Sequence, residues 1–381
     1  MTKKKVALGL SGGVDSAVSA KLLLDQGYNV TTIFLECWKT PGCRAEEDRK
    51  DALKIAQQLN LPFQVLDFKE AYKTKVINKF LTDFKKGLTP NPDVWCNQVI
   101  KFGLFYDWAM EHKFDYVATG HYAGISNKKS GNQTIHNLTT PKDLHKDQTY
   151  FLHQIKEEQL SHVIFPLQKL SKDEVRKLAV KNNFHVANKK DSVGLCFVGD
   201  VNVGQMLKER LGENHGEVID TEGNSIGKHK GLWFYTIGQR HGFTINSTTS
   251  IKQSDGTVIN KHNIPPFYVV GKRTKQNQLI VGFGEETKKD NFLISQLHCI
   301  NSKLGSTFFL SQKNLLVRIR HTGDLLPCKI IKKSDHIYRV QLNEAARGIA
   351  PGQYAVFYIS VDKTSSGQEY ICLGGGMIHF D

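Results

Sequence analysis

Residues 6–16 read VALGLSGGVDS, an apolar run that meets two glycines before a helical pattern begins. The run predicts a buried strand, and the glycines allow the backbone N–H groups of the next turn to converge on one point. A helix starting directly after the turn adds its N-terminal dipole, and Ser11 and Ser16 add hydroxyl donors. The stretch therefore predicts a phosphate-binding loop, and the alternative is an ordinary glycine-rich turn between a strand and a helix.

Strand and helix patterns alternate through the first third of the chain. The loop lacks the lysine of GxxxxGK[ST] and does not read GxGxxG, so the two commonest phosphate loops are excluded. Helices long enough for crossovers between strands predict an α/β domain with a parallel sheet. The predicted strands after the first are at 29–36, 63–68 and 115–120, and the predicted helices are at 46–59, 70–86 and 98–112. Further along, SKDE (171–174) is a capping-box signature that predicts a helix to about Asn183.

The rest of the chain changes character after Gly212. Glycines and polar turns separate short strands there, and from about Asp290 the pattern is all-β, which predicts a small barrel. Candidate barrel strands are at 306–310, 315–320, 336–342, 354–360 and 369–374. We therefore divide the chain into a nucleotide-binding catalytic domain (1–208), a small mixed, β-rich central domain (209–287) and a C-terminal β-barrel (288–381). Residues 244–266 are predicted to form a polar surface loop with no assignable role.

Composition limits the class of protein. The chain has 381 residues, of which 40% are hydrophobic, so a folded core is expected. No apolar run reaches the roughly 18 residues of a membrane helix, and we expect a cytoplasmic protein with no membrane contact. The net charge of +14 suits either a polyanionic partner or a solvated basic surface. Seven cysteines without a CxxC pair argue against a disulfide scaffold and a structural zinc site, and we assign no metal ligands among the side chains.

A second stretch, LTPNPDVWCN (88–97), combines turn formers with an acid and a thiol. A thiol near a helix N-terminus has its thiolate stabilised, so Cys96 is a candidate nucleophile, and Asp93 is a candidate proton carrier. The alternative is structural: Asp93 would cap a helix starting near Val94, and Cys96 would fill space.

Another thiol, Cys196, lies in KKDSVGLCFVGD (189–200). Two lysines precede it, and basic neighbours lower the pKa of a thiol. The alternative is a small buried residue between glycines. The residues alone leave both possibilities open.

The loop SGGVDS resembles the pyrophosphatase loop of the ATP-pyrophosphatase (PP-loop) enzymes, which split ATP between its α and β phosphates and transfer AMP to an oxygen. The resemblance implies ATP as a substrate, with Mg²⁺ beside its phosphates. The residues that it implies around the nucleotide are Gly9, Leu10, Ser11, Gly12, Gly13, Val14, Asp15, Ser16, Leu35 and Gly120.

The combination of TPNPDxxCN and KKDSxGxCFxG is more specific and resembles the bacterial and mitochondrial tRNA-specific 2-thiouridylases. KDQTYFL (146–152), GLWFYTIGQRHG (231–242) and PGQYAVFY (351–358) fit the same family in the same order. This resemblance implies adenylation of the C2 oxygen of the wobble uridine, followed by transfer of a persulfide sulfur, with release of AMP and pyrophosphate. It also implies a tRNA anticodon loop as substrate, and a sulfur relay protein or cysteine desulfurase as donor.

The family pattern assigns roles to individual residues. Cys96 takes the position of the nucleophile, Cys196 carries the persulfide and forms a transient disulfide with Cys96, and Asp93 is the acid/base. Asn91 and Pro92 border the target base together with Asp93. The implied tRNA contacts are His121, Lys146, Asp147, Gln148, Arg318, Ile319, Arg320 and Gln353.

The predicted tRNA-contacting strand departs from the family at one position. Ile319 stands where the family usually has an aromatic residue, and strand alternation predicts that Arg318 and Arg320 share a face.

Two rival functions are compatible with part of the pattern. One is a synthetase of the same ATP class that uses an amine nucleophile and needs no thiol. The other is a non-catalytic RNA-binding protein that keeps the nucleotide fold. No role is assigned to Cys37 or Cys43, and attack by the persulfide or by free hydrosulfide are both compatible with the sequence.

Overall fold

The computed structural model describes residues 2–38, 44–131, 133–191, 202–246, 251–252, 258–259, 266–303, 305–361 and 368–380. The strands of its N-terminal part are β1 (Lys5–Gly9), β2 (Asn29–Glu36), β3 (Phe63–Asp67), β4 (Tyr116–Thr119), β5 (Gly124–Ser130), β6 (Gln133–Thr139) and β7 (Val163–Ile164). The helices are α1 (Val14–Asp25), α2 (Ala45–Gln58), α3 (Lys69–Tyr72), α4 (Asn78–Lys85), α5 (Pro92–Trp95), α6 (Tyr106–Glu111), α7 (Thr149–Leu152), α8 (Glu157–Leu160), α9 (Lys172–Lys181) and α10 (Val203–Leu211). Two π-helical segments, Lys73–Ile77 and Cys96–Phe105, join α3 to α4 and α5 to α6.

The first sheet confirms the predicted α/β architecture. Five strands lie in the order β3-β2-β1-β4-β7, and every neighbouring pair is parallel. Successive strands run outward from β1 to β3 on one side, and from β4 to β7 on the other. The strand order therefore reverses between β1 and β4, and the crevice at their carboxyl ends is where open α/β sheets bind ligands.

Successive side chains of β1 point to opposite faces of this sheet, and both faces are buried. Val6 and Leu8 pack with Leu23 of α1, and Ala7 packs on the opposite side with Phe105. The SKDE signature also forms as predicted: Ser171 caps α9, accepting from Glu174 N–H at 3.3 Å and donating its own N–H to the Glu174 carboxylate at 2.6 Å.

The central part is a small mixed sheet. Its strands are β8 (Gly216–Ile219), β9 (Ser225–His229), β10 (Thr244–Ile245), β11 (Ile251–Lys252), β12 (Val258–Ile259), β13 (Tyr268–Arg273) and β14 (Gln278–Gly282). The order is β10-β9-β8-β14-β13, and β11 pairs with β12. Short strands therefore occur where we predicted only a surface loop, at 244–266. The predicted boundary between 208 and 209 falls inside α10.

The C-terminal strands close into the predicted barrel. They are β15 (Lys288–Cys299), β16 (Leu315–Arg318), β17 (Leu326–Lys332), β18 (Ile337–Arg347), β19 (Tyr354–Ser360) and β20 (Tyr370–His379), with α11 (Gly305–Ser311) beside them. The order β15-β18-β17-β16-β19-β20 closes through an antiparallel pairing of β15 with β20. The β5–β6 hairpin of the N-terminal part adds to this sheet through β6 and β20.

Two details of the barrel prediction are wrong. Residues 306–310 lie in α11, not in a strand, and Phe309 is the residue of this helix that enters the barrel core. Strand β16 ends at Arg318, so Arg318 and Arg320 do not alternate along one face: Arg318 is buried and Arg320 is exposed. No helix among the described residues is long and apolar enough to span a membrane.

Candidate active site

The turn after β1 is held by its own hydrogen bonds. Ser11 N–H donates to Ser16 Oγ at 3.2 Å, and Ser16 Oγ donates to the Gly13 carbonyl at 3.1 Å. Gly12 has φ +78°, and a Cβ on it would lie 2.1 Å from the Asp48 carbonyl oxygen. Only glycine fits there. Gly13 is the N-cap of α1, so the turn leads directly into a helix N-terminus, and phosphate binding there stays a prediction.

The end of β4 packs against this loop. A Cβ on Gly120 would lie 2.9 Å from Ser16 N, so the absence of a side chain allows β4 to approach the first turn of α1. Leu10, Val14 and Leu35, which the resemblance placed beside the nucleotide, are buried in the cores on the two faces of the sheet. Gly120 therefore lies at the crevice, and direct nucleotide contacts of the three apolar residues stay a prediction.

Two lysines that sequence reasoning missed surround the phosphate loop. Lys172 Nζ lies 2.7 and 2.8 Å from the two carboxylate oxygens of Asp15, whose Oδ1 also accepts from Tyr122 OH at 2.8 Å. Burial, and then the charge of Asp15, raise the pKa of Tyr122. Lys172 opens α9 directly after the cap that the sequence identified, but nothing local indicates that it reaches Asp15.

Lys189 is the second of these lysines. Its Nζ donates to the Gly12 carbonyl at 3.1 Å and pairs with Asp48 at 2.7 Å and Asp51 at 2.6 Å. It thereby ties the loop to α2. Burial alone would raise the pKa of Asp51, but hydrogen bonds from Lys189 and His185 outweigh burial and lower it.

Asp191 connects several cations beside the loop. It pairs with Lys146 at 2.8 Å, Lys172 at 2.7 Å and Arg176 at 3.0 Å. Burial alone would raise the pKa of Asp191, but the hydrogen bonds from Lys146 and Lys172 outweigh burial and lower it to about 2. Lys146, a predicted tRNA contact, is therefore part of a network next to the phosphate loop.

Cys196 and Cys43 lie outside the described residues.

Asp93 and Cys96, the acid and the thiol of LTPNPDVWCN (88–97, the NPD stretch), lie on one helix. Asn91 caps α5, accepting from Val94 N–H at 3.4 Å, and Pro92 occupies the first turn. The alternative in which Asp93 is the cap is therefore wrong: Asp93 lies in the first turn, half-buried. Cys96 is 0% exposed and begins the π-helical segment, a rare geometry that recurs at functional sites and that no sequence signal indicated.

The C-terminal barrel holds this stretch from the other side. Asn91 Nδ2 donates to Gln353 Oε1 at 3.2 Å, and Gln353 Nε2 donates to the Thr89 carbonyl at 3.2 Å. Trp95, directly before Cys96, donates its indole N–H to Tyr354 OH at 2.9 Å. Gln353, predicted as a tRNA contact, is thus bonded to the predicted target-base loop.

His121, directly after Gly120, is buried. Its Nδ1 lies 2.8 Å from Thr119 Oγ1, and its Nε2 lies 3.4 Å from Lys101 Nζ. Burial, and then the charge of Lys101, hold the pKa of His121 well below its usual value, so the imidazole is neutral. Lys101 belongs to the same π-helical segment as Cys96.

The remaining predicted tRNA contacts have internal partners or are buried. Gln148 Oε1 accepts from Tyr122 N–H at 2.9 Å. Asp147 and Arg318 form an ion pair that is almost completely buried, and Ile319 lies in the barrel core. Of the strand residues predicted to contact RNA, Arg320 is the exposed one.

The chain matches models of known domain families and is similar to solved structures. The chain matches three domain families in order: the tRNA methyl transferase HUP domain over residues 4–200, the tRNA methyl transferase PRC-barrel domain over 204–283, and the Aminomethyltransferase beta-barrel domain over 289–378. Among solved structures, the U34-tRNA thiolase NcsA from Methanococcus maripaludis is 23% identical, with 54% of this chain and 66% of that chain covered and a TM-score of 0.34.

Relatives match over nearly the whole length. The tRNA-specific 2-thiouridylase MnmA of Lactobacillus johnsonii (strain CNCM I-12250 / La1 / NCC 533) is 38% identical over 388 residues, covering 99% of this chain and 96% of the relative. The protein of the same name from Staphylococcus aureus (strain bovine RF122 / ET3-1) is 39% identical over 384 residues, covering 98% and 95%. The chain therefore belongs to the tRNA-specific 2-thiouridylase family.

Proposed function

We propose that this chain converts the wobble uridine of tRNA into 2-thiouridine, using ATP to activate the C2 oxygen and a persulfide on Cys196 as the sulfur source. One observation supports the proposal: the helical stretch that carries Asp93 and Cys96 continues to Phe105, which packs at the end of β1, directly before the phosphate loop. A Cβ on Gly9, the last residue of β1, would lie 3.6 Å from Phe105. We infer that a base held at Asp93 meets the nucleotide on this side of the sheet.

Activation of the base is the first step. The C2 oxygen of uridine is a poor leaving group, and transfer of AMP to it makes it a good one. The bond between this oxygen and the α-phosphorus forms, the bond to the β-phosphate oxygen breaks, and pyrophosphate leaves with the electron pair. The loop Ser11–Ser16 binds the departing phosphates with backbone N–H groups and the N-terminus of α1, and the proton at N3 of the base passes to Asp93.

Sulfur transfer is the second step, and atoms and electrons balance in two different orders of events. In one, the terminal sulfur of the Cys196 persulfide attacks C2, AMP leaves, and Cys96 attacks the inner sulfur. In the other, Cys96 attacks first and releases hydrosulfide, which then attacks C2. Either order ends in a Cys96–Cys196 disulfide that a cellular thiol must reduce.

The described residues do not fit a protein-held metal centre. No group of three potential acidic, histidine or cysteine ligands occurs among them, and Asp15 is engaged by Lys172 and Tyr122. Mg²⁺ would enter with ATP, held chiefly by phosphate oxygens and water, so no step is assigned to a metal ligand of the chain.

The partners follow from the same chemistry. The net charge of +14 suits a tRNA substrate, and Arg320, which is exposed just beyond the end of β16, is free of the burial that withdraws Arg318 and Ile319 from contact with its backbone. The target base must leave its stack, which is easiest in a single-stranded anticodon loop. A relay protein or a cysteine desulfurase would load Cys196, and the reducible disulfide suits work in the cytoplasm.

A reconstituted reaction tests the proposal. Protein, ATP, Mg²⁺, a persulfide donor and unmodified tRNA are combined, and the nucleosides and AMP are quantified. We expect 2-thiouridine and AMP in equal amounts. Cys96→Ser and Cys196→Ser abolish 2-thiouridine, whereas Cys299→Ser, a partly buried thiol of the barrel, retains activity.

The rival functions predict different results. AMP formation that depends on an amine and survives both serine substitutions would support the amine-using synthetase. Binding of tRNA without AMP or 2-thiouridine would support the non-catalytic RNA-binding protein.

A further inference from the structure

Asp93, Asn97 and Lys101 follow one another at spacings of four residues along the helix of the NPD stretch. Side chains at this spacing lie on one helical face. Asp93 and Lys101 are half-buried, and Asn97 is 4% exposed with its Oδ1 buried and without a hydrogen-bond partner. A polar stripe therefore joins the proposed target-base residue to an ammonium group along one side of the helix.

The far end of this stripe lies at the nucleotide crevice. Lys101 Nζ is 3.4 Å from His121 Nε2. His121 follows Gly120, where a Cβ would lie 2.9 Å from Ser16 N in the phosphate loop. The ammonium is thus placed between the helix that carries Asp93 and the strand end that packs on the loop.

The hydrogen bonds of His121 fix how Lys101 is held. An ammonium can only donate, so Nε2 accepts from Lys101 and Nδ1 carries the imidazole hydrogen. Nδ1–H then donates to Thr119 Oγ1 at 2.8 Å, the last residue of β4. The histidine orients the lysine without taking its proton, because its pKa lies far below that of an ammonium.

The two other lysines at the loop join segments of the protein to one another. Lys172 is bonded to Asp15 and Asp191, and Lys189 to Asp48 and Asp51. Both tie protein segments together on the side of α2 and α9. Neither belongs to the helix that carries Asp93.

We propose that Lys101 is a further catalytic residue, which binds an α-phosphate oxygen while the uridine C2 oxygen attacks, and that His121 is its positioning residue. This inference rests on the proposed function. The ammonium stays protonated throughout and stabilises the negative charge that builds on the phosphoryl oxygens. Adenyl transfer requires base, phosphate and cation to converge, and Lys101 shares the helix of Asp93 while its ammonium lies beside the strand end that packs on the loop.

Substitution of Lys101 tests the assignment. Lys101→Met removes the charge and keeps most of the side-chain length. Single-turnover AMP formation with saturating tRNA and ATP should fall about 100-fold or more, the typical cost of losing one such donor. The dissociation constant for tRNA and the KM for ATP should change less than about threefold, because the group acts at the transition state.

Companion variants separate this role from folding. Lys101→Arg keeps the charge and should recover at least tenfold of the lost rate, and Lys142→Met, which removes an ammonium paired with Glu174 at the surface, should leave AMP formation unchanged. If Lys101→Met does not fold, Lys101→Gln provides the charge-free variant.

The outcomes distinguish the claims. AMP formation by Lys101→Met within threefold of the unmodified protein would overturn the role. So would a loss of activity that tracks weakened tRNA binding, since Lys101 would then be an RNA contact. If the unmodified protein forms no AMP with tRNA, the proposed function fails, and the role of Lys101 fails with it.

Discussion

Replacement of Tyr354 by Phe should loosen the Cys96 helix without disturbing the phosphate loop. The Tyr354 hydroxyl accepts from the Trp95 indole N–H at 2.9 Å, and both side chains are buried, at 7% and 3% exposure. Tyr354→Phe leaves that N–H buried and unpaired, which costs about 1–3 kcal/mol of folding free energy. Because Trp95 directly precedes Cys96, we also expect slower sulfur transfer with an unchanged KM for ATP.

A double-mutant cycle in urea unfolding isolates the contact. Trp95→Phe removes the same hydrogen bond from the other side and adds a loss of packing. In the double variant no unpaired donor remains. Its loss of unfolding free energy should therefore be smaller, by about 1 kcal/mol, than the sum of the losses in the two single variants. Tyr358→Phe is the matched control, because Tyr358 lies on the same barrel strand as Tyr354 but its hydroxyl is bonded to Thr149 of α7 and not to Trp95. A coupling free energy below about 0.3 kcal/mol between Trp95 and Tyr354 would refute the proposed role of this hydrogen bond. So would an equally large coupling free energy between Trp95 and Tyr358.

Two further predictions concern the phosphate loop. Gly120→Ala places a Cβ 2.9 Å from Ser16 N, so titration calorimetry should show weaker ATP binding, and unchanged binding would mean that β4 does not determine the shape of the loop. Lys146 and Lys172 hold the pKa of Asp191 at about 2, below its ordinary 3.8, so the stability that it contributes is complete above pH 3.8 and is lost as the pH falls through about 2. The free energy of unfolding of Asp191→Asn should therefore fall less steeply between pH 3.8 and about pH 2 than that of the unmodified protein. An identical dependence on pH in both proteins would contradict the ion-pair network.

The features predicted correctly from the sequence are local ones. The turn at Gly12 needs a left-handed residue, and the cap at Ser171 needs a hydroxyl three residues before an acid, so both are readable from neighbouring residues. The helix at 305–311 was mistaken for a strand because the short apolar run STFFL has no clear period, and its burial depends on Phe309 meeting Phe357 across the barrel.

The features that were missed depend on distant partners. Arg318 is buried because Asp147, 171 residues away in the sequence, pairs with it. Lys172 reaches Asp15 across 157 residues, and Lys101 reaches His121 only once a helix and a strand have packed. Side-chain type predicts a charge, whereas the three-dimensional fold decides which charge it meets.

The pairing of β6 with β20 has a consequence for synthesis of the protein. Thr139 pairs with Ile371, so the hairpin leaves the ribosome long before the strand that completes its sheet. Until then, β6 presents unpaired backbone groups on an edge, which makes the nascent N-terminal part a substrate for chaperones and proteases. Translation that stops before Gln353 yields a chain whose β5–β6 hairpin lacks β20 and whose NPD stretch lacks Gln353 and Tyr354. Such truncated products should be degraded before they can consume ATP.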